Sequence, residues 1–316
     1  MKSATNRIAL IGTNCEKINS LSNDLNQAGY VTDKLIYNDE CIECILKLPY
    51  VAVILETTYG EDAFTFCEKF RPFLPDVPII FLTYADPIDL IEKTFAKGFP
   101  DHIVNFQLAN LSNWVLDNLN KLSATDPSGI EFYTGDKSSS LSFQIDNSKM
   151  KHEYIRRVIN FVDNKLIREK IIGIVEEILD ELITNALYNA PTDLNGTFLY
   201  QHFDRKIDLI LPQTQAAVLS CLLNDDKIYL SIKDPFGSLT KEKLFSYLSE
   251  CWENNHVHVK NKKGGAGIGL HKIFRLSHKF VVNIIPGQFS EFISCISQES
   301  EILKQETASL NVFIRK

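Results

Sequence analysis

Residues 168–190 read REKIIGIVEEILDELITNALYNA. Glu177, Glu181, Asn185 and Asn189 recur every four residues, while Ile171, Ile174, Ile178, Leu182, Ile183, Ala186 and Leu187 take the other faces. Side chains four apart share a helix face, so this is an amphipathic helix with a stripe of two carboxylates followed by two carboxamides. Against a sheet, such a stripe must be satisfied. A carboxylate at one position and an amide one turn on can hold a water and a hard cation side by side, which suits water activation or phosphate orientation near Mg²⁺. A solvated charged face is the ordinary alternative, yet no lysine follows the acids at four residues as on exposed ion-paired helices.

Two stretches downstream carry further chemistry. The alternating strand KIYLSIK (227–233) ends at Asp234, followed by Pro235-Phe236-Gly237. A carboxylate there can accept a hydrogen bond from a ligand amino group, and it serves equally as a turn-initiating Asp. The run KKGGAGIGL (262–270) places Gly264, Gly265, Gly267 and Gly269, four of the fourteen glycines, within six positions. Such backbone can bring its N–H groups close to a ligand, and it leads into an apolar-periodic helix whose N-terminus favours phosphate oxygens; a hinge would use the same glycines. No Gly-Lys-Ser/Thr follows, and Gly-x-Gly-x-x-Gly is not satisfied, which excludes Walker and dinucleotide loops. The polar stretch ENNHVHVKNKK (253–263) just before reads as a lid that orders over nucleotide or equally as an ordinary solvated loop.

In this order DELITNALYNA, KDPFG and GGAGIGL resemble the N box and the two glycine boxes of the GHKL ATPase superfamily, over about residues 139–297. The resemblance implies an α+β Bergerat-type ATP-binding sandwich with ATP and Mg²⁺ as cofactors. It implies that Glu181 is general base or water positioner, that Asn185 ligates Mg²⁺, and that Asp234 binds the adenine amino group. It further implies that Gly237, Gly264, Gly265, Gly267, Gly269 and Asn189 are the remaining nucleotide contacts. The family's first glycine box has Gly two residues after Asp, whereas here Pro235 and Phe236 intervene. His152 lies too close to Asn185 for a phosphoacceptor hairpin of a histidine kinase and reads as an exposed helix residue. The lead-in from Lys151 is instead similar to anti-sigma-factor serine/threonine kinases. That implies a bacterial signalling regulator phosphorylating Ser/Thr of a sigma-factor or anti-anti-sigma-like partner, with homodimerisation open. The alternative is a non-catalytic, nucleotide-gated module that sequesters its partner.

Upstream, β-branched runs at Ile8–Ile11, Val51–Leu55, Val77–Leu82 and His102–Val104 alternate with helical periodicity, which predicts a doubly wound α/β (flavodoxin-like) domain. With Pro78 to Thr83 this region resembles a response-regulator receiver over residues 6–122. Thr83 matches the receiver hydroxyl. Gly12-Thr13-Asn14, Glu56 and Asn105 replace the acidic pair, the phosphoacceptor Asp and the lysine, so the resemblance implies a degenerate receiver that docks or senses. Thr125 to Ser140 gathers Pro, Gly, Ser and Thr. The expected organisation is therefore a receiver-like domain (1–123), a linker (124–138) and an ATP-binding domain (139–316).

The 316 residues suit two domains, and 45% apolar with 23% charged residues is an ordinary globular composition. Residues 1–125 hold 10 Lys+Arg against 16 Asp+Glu, net −6, leaving 23 against 24, net −1, for the rest of a chain whose net charge is −7. This acidity predicts neither nucleic-acid nor membrane-surface binding. No run is long enough to span a bilayer, and the N-terminus reads as a first strand rather than a signal segment. Seven cysteines without a secretory signal predict reduced thiols in a cytoplasm. Cys41 and Cys44 share a helix face as buried thiols, and His256 and His258 read as a solvated segment.

Overall fold

The computed structural model describes residues 6–12, 15–57, 60–134, 138–163, 169–193, 195–224, 226–249, 268–298 and 309–315. The chain divides into two compact units, Met1–Thr125 and Asp126–Lys316.

In the first unit β1 (Arg7–Ile11), β2 (Val31–Leu35), β3 (Ala52–Thr57), β4 (Ile79–Thr83) and β5 (His102–Asn105) pair in parallel in the order β2-β1-β3-β4-β5. That is the flavodoxin-like doubly wound order. The connecting helices are α1 (Glu16–Gln27), α2 (Asp39–Lys47), α3 (Gly60–Phe70), α4 (Ile91–Lys97) and α5 (Leu111–Ser123). Every residue of β3 and β4 is buried, which explains their unbroken apolar runs. Strand β2 was not expected. Its VTDKL carries no apolar run because it is half-exposed beside β1, held there by Arg7 Nη1 donating to both Asp33 oxygens at 2.7 and 2.6 Å. Cys41 is buried on α2, and burial pushes its thiol up to about 12.

The second unit is an α+β layer. Strands β6 (Ser139–Ile145), β7 (Ala217–Asn224), β8 (Lys227–Asp234), β9 (Lys279–Ile285), β10 (Phe289–Ser297) and β11 (Ser309–Ile314) run in the order β11-β9-β10-β8-β7-β6. All pairs are antiparallel except β11 beside β9. β11 was also unexpected. The helices are α6 (Lys151–Asp163), α7 (Glu169–Thr184), α8 (Lys241–Ser249) and α9 (Ile268–Leu276). Residues 164–168, between α6 and α7, lie outside those described. No helix among the described residues is long and apolar enough to cross a membrane.

Within the expected linker, residues 126–134 pack on the sheet of the second unit. Ile130 and Tyr133 are buried, the Tyr133 ring stacks on Tyr229 at 4.6 Å and 8°, and Lys233 Nζ donates to Ser128 Oγ at 2.9 Å. The Gly129 N–H donates to Glu291 Oε2 at 2.9 Å. The apolar pair supplies burial that helps to offset the ordering of so short a segment, and the polar contacts add to it. Pleating sends Tyr229, Ser231 and Lys233 of β8 to this face and Ile232 and Asp234 to the opposite one.

Candidate functional site

Helix α7 buries Ile171, Val175, Ile178, Leu179, Leu182 and Ile183, the 3.6-residue pattern of one apolar face. Val175 therefore takes the core place expected for Ile174, which is half-exposed. The helix then widens into a π turn over Asn185–Asn189, closed by the Ala190 N–H donating to Asn185 O at 2.9 Å. Such turns are rare and mostly functional. Thr184 Oγ1 back-bonds to Asp180 O at 2.7 Å just before it, a contact that bends helices, and Pro191 ends the element.

The polar stripe divides along its length. Glu177 is exposed and pairs with Lys272 of α9 at 3.3 Å, so its cation comes from another helix, which spacing within one helix could not reveal. Glu181 is half-buried against the first turn of α9. A Cβ on Gly269 would overlap Glu181 Oε2 and stand 2.9 Å from its Cδ, so glycine is what lets the carboxylate sit there. Burial raises the Glu181 carboxyl, assisted by Asp180, while Lys272, Lys151 and Arg205 pull it back.

Asn185 and Asn189 line a pocket with Asp234. The pocket and its open mouth together enclose about 640 Å³ of empty space. Ala186, Ile232, Leu270 and Phe292 form apolar walls, and Phe198, Lys243 and Tyr247 stand at another side, with Lys243 Nζ 4.6 Å from the Phe198 ring. Asp234 is 4% exposed. Burial pushes its carboxyl up to about 6 against the lowering effect of the Phe236, Gly237 and Ser290 amides. The Phe236 N–H reaches Asp234 Oδ1 at 3.0 Å, so the Asp both starts the turn and faces the cavity. Beside it, Ser290 Oγ is buried without a hydrogen-bond partner among the described residues. A buried acceptor next to an unsatisfied hydroxyl in an apolar pocket is equipped to read a flat heterocycle with an amino group.

Gly237 shapes the turn below the pocket. Its φ is +58°, and a Cβ would overlap Ile285 O and stand 2.7 Å from the Gln288 and Gly287 nitrogens. The intervening Pro235 and Phe236 are thus accommodated with glycine still required where the β9–β10 hairpin touches. The other sequence-derived positions Gly264, Gly265 and Gly267, and the expected lid at 253–263, lie outside the described residues, as do His256 and His258. Phe198, Ser290, Phe292, Lys243 and Tyr247 were not foreseen. They lie on three separate segments, the loop at Phe198, α8 and β10, and only the fold gathers them.

In the first unit, Glu56 is buried, accepts from Tyr84 OH at 2.8 Å, and fills the space over Gly12, where a Cβ would stand 2.6 Å from Glu56 Oε2. Thr83 Oγ1 accepts from Ala85 N at 3.0 Å and Asn105 Oδ1 from Gln107 N at 2.8 Å. These strand ends thus hold local caps and one sequestered carboxylate. Thr13 and Asn14 lie outside the described residues.

No protein-family model and no curated protein matches the chain. Solved structures similar to part of it include a response regulator and a two-protein complex. A response regulator protein from Burkholderia pseudomallei, described with a phosphorylated aspartic acid, calcium ion and citrate, is 18% identical with TM-score 0.33, over 50% of this chain and 86% of that one. The SiaB-SiaC complex from Pseudomonas aeruginosa matches at 15% identity and TM-score 0.32, over 49% of this chain and 88% of the other. The chemistry assigned below rests on side chains of this chain.

Proposed function

We propose that the second unit is a Bergerat-type domain that binds ATP with Mg²⁺ and transfers the terminal phosphoryl group to a Ser/Thr hydroxyl of a partner protein, under control of a receiver-like first unit. The observation that carries this reading is Asp234, a buried carboxylate at a strand end, facing an apolar pocket beside the unpaired Ser290 hydroxyl. Asp234 would accept from the adenine amino group, Ser290 would bond the neighbouring ring nitrogen, and Ile232 and Phe292 would cover the ring. Asn185 fits a hard cation, since Mg²⁺ takes one or two protein oxygens and completes its shell with phosphates and water. When bound, Mg²⁺ would neutralise phosphate charge and polarise the transferred group. Glu181, one turn before Asn185 and with its carboxyl raised by burial, would take the proton from the attacking hydroxyl.

The test uses the purified full chain with γ-labelled ATP and Mg²⁺, with and without lysate of the source cell, alongside calorimetry. Glu181→Gln should keep ATP affinity while turnover falls about 10²–10⁴-fold. No ATP binding refutes the pocket assignment. Binding without transfer to any protein, unaffected by Glu181→Gln, replaces the kinase reading with that of a nucleotide-gated sequestering module.

A further inference from the structure

Arg205 belongs to none of the motifs above. It lies in a surface segment between exposed Asp204 and Lys206 but turns inward and is half-buried. Its guanidinium lies over the Tyr188 ring, 4.6 Å from the centroid. Tyr188 is buried and its hydroxyl donates to Ile207 O at 2.8 Å, so the platform under the cation is tied to the cation's own segment. From there Arg205 Nη2 donates to Asn189 Oδ1 at 2.8 Å, and Asn189 Nδ2 donates to Asn185 Oδ1 at 2.7 Å.

This chain has a direction. A guanidinium has donors and no acceptor, whereas a carboxamide has one end of each kind and can turn over at little cost. Because Arg205 can only donate, Asn189 must turn its oxygen to it and its NH₂ to Asn185, and Asn185 must answer with oxygen. That oxygen keeps a second lone pair. Without the donor, Asn189 is free to reverse. Asn185 would then reverse in turn, and an NH₂ group, with no lone pair to give a cation, would take the place of the oxygen. The π turn carries Tyr188, Asn189 and Asn185 together, so platform, relay and terminal amide belong to one rigid element.

We propose that Arg205 is a positioning residue: through Asn189 it sets the carboxamide polarity of Asn185 and so presents the Asn185 oxygen to the Mg²⁺ of a bound nucleoside triphosphate. This rests on the nucleotide reading above for its ligand, and on the two hydrogen bonds for its geometry. Arg205 does not line the pocket around Asp234, so its effect would fall on the metal-dependent part of binding.

Two measurements on the full chain separate the possibilities. The first is calorimetry of ATP in Mg²⁺ and in EDTA for wild type, Arg205→Met and Arg205→Lys. Methionine keeps an apolar stem over Tyr188 and loses the donor, whereas lysine restores a donor. The ratio of affinity in Mg²⁺ to that in EDTA should fall about 10–100-fold in Arg205→Met, as for loss of an outer partner of a metal ligand, and Arg205→Lys should recover most of it. An unchanged ratio in Arg205→Met, or equal loss in both media with no recovery by lysine, overturns the proposal. The second measurement needs no nucleotide. The side-chain NH₂ signals of Asn185 and Asn189 in a ¹H–¹⁵N spectrum, assigned with Asn→Asp variants, should show slowed proton exchange for Asn189 in wild type and Arg205→Lys and fast exchange in Arg205→Met. If these signals ignore the substitution, the relay is wrong whatever the protein binds. If they respond while wild type binds no ATP, the relay stands and the nucleotide reading is what fails.

Discussion

Replacing Asp234 by Asn should make stability relative to wild type rise with pH while weakening nucleotide binding. The carboxyl is displaced from 3.8 to about 6 by burial. At 1.36 kcal/mol per pH unit this corresponds to roughly 3 kcal/mol by which the ionised form is disfavoured in the fold. Between those two values the folded chain binds a proton that the unfolded chain has released, so stability falls as pH rises. The favourable contribution is fully present below about 3.8 and lost once pH passes about 6. An uncharged Asn does not titrate. Its NH₂ does face the Phe236, Gly237 and Ser290 amides, which adds a penalty, but that penalty is independent of pH. The difference in unfolding free energy between Asp234→Asn and wild type should therefore move by about 2 kcal/mol in favour of the variant from pH 4 to pH 7.5. Urea unfolding of the full chain without nucleotide, followed by circular dichroism across that range, measures it. Calorimetry at pH 7.5 should show ATP affinity reduced by the hydrogen bond to a charged group, on the order of 1.5–3 kcal/mol. A stability difference that stays flat with pH would refute the buried-carboxylate argument, and unchanged ATP affinity would refute its role in recognition.

Gly269→Ala should separate stability from chemistry, because alanine favours a helix over glycine by up to about 1 kcal/mol while its methyl displaces the Glu181 carboxylate; a raised melting temperature with reduced turnover is expected, and unreduced turnover would show that Glu181 acts from elsewhere. Gly237→Ala places a side chain at φ +58° against hairpin backbone, at about 1–2 kcal/mol for the conformation plus about 1–3 kcal/mol for overpacking; urea unfolding with a loss under 1 kcal/mol would contradict the contact. Glu291 is 2% exposed and accepts from Ser231 Oγ at 2.7 Å, Asn283 Nδ2 at 2.8 Å and the Gly129 N–H. Glu291→Ala leaves these donors unmet, each at about 1–3 kcal/mol, so residues 126–134 should become protease-sensitive, and unchanged cleavage there would show that Ile130 and Tyr133 hold the segment by themselves.

What the sequence determined about this protein is what periodicity and local backbone chemistry determine. Long regular segments were legible: the α7 stripe, the alternating β8 ending at Asp234, and the apolar β1, β3 and β4 runs each follow from a repeat of 3.6 or 2 along neighbouring residues. The turn from Asp234 to Gly237 was legible for the same reason, since its chemistry lies within a few residues, whereas the hairpin backbone that also demands a glycine at 237 was not. Strands β2 and β11 were not, because a half-exposed edge and a short polar alternation carry no distinctive run. Residues 126–134 have a linker's composition, yet they dock because Tyr229, Lys233 and Glu291, about a hundred or more residues later, supply the ring, the donor and the acceptor. Ser290 meets Asp234 only through the register of β10 against β8. Gly269 earns its identity from a carboxylate eighty-eight positions earlier, and Arg205 reaches Asn189 only because the chain folds back over Tyr188. Partners of this kind are fixed by hydrogen-bond register and close packing between distant segments, which no local pattern records, so the tertiary structure decided which polar groups meet in the pocket and which of them remain unsatisfied.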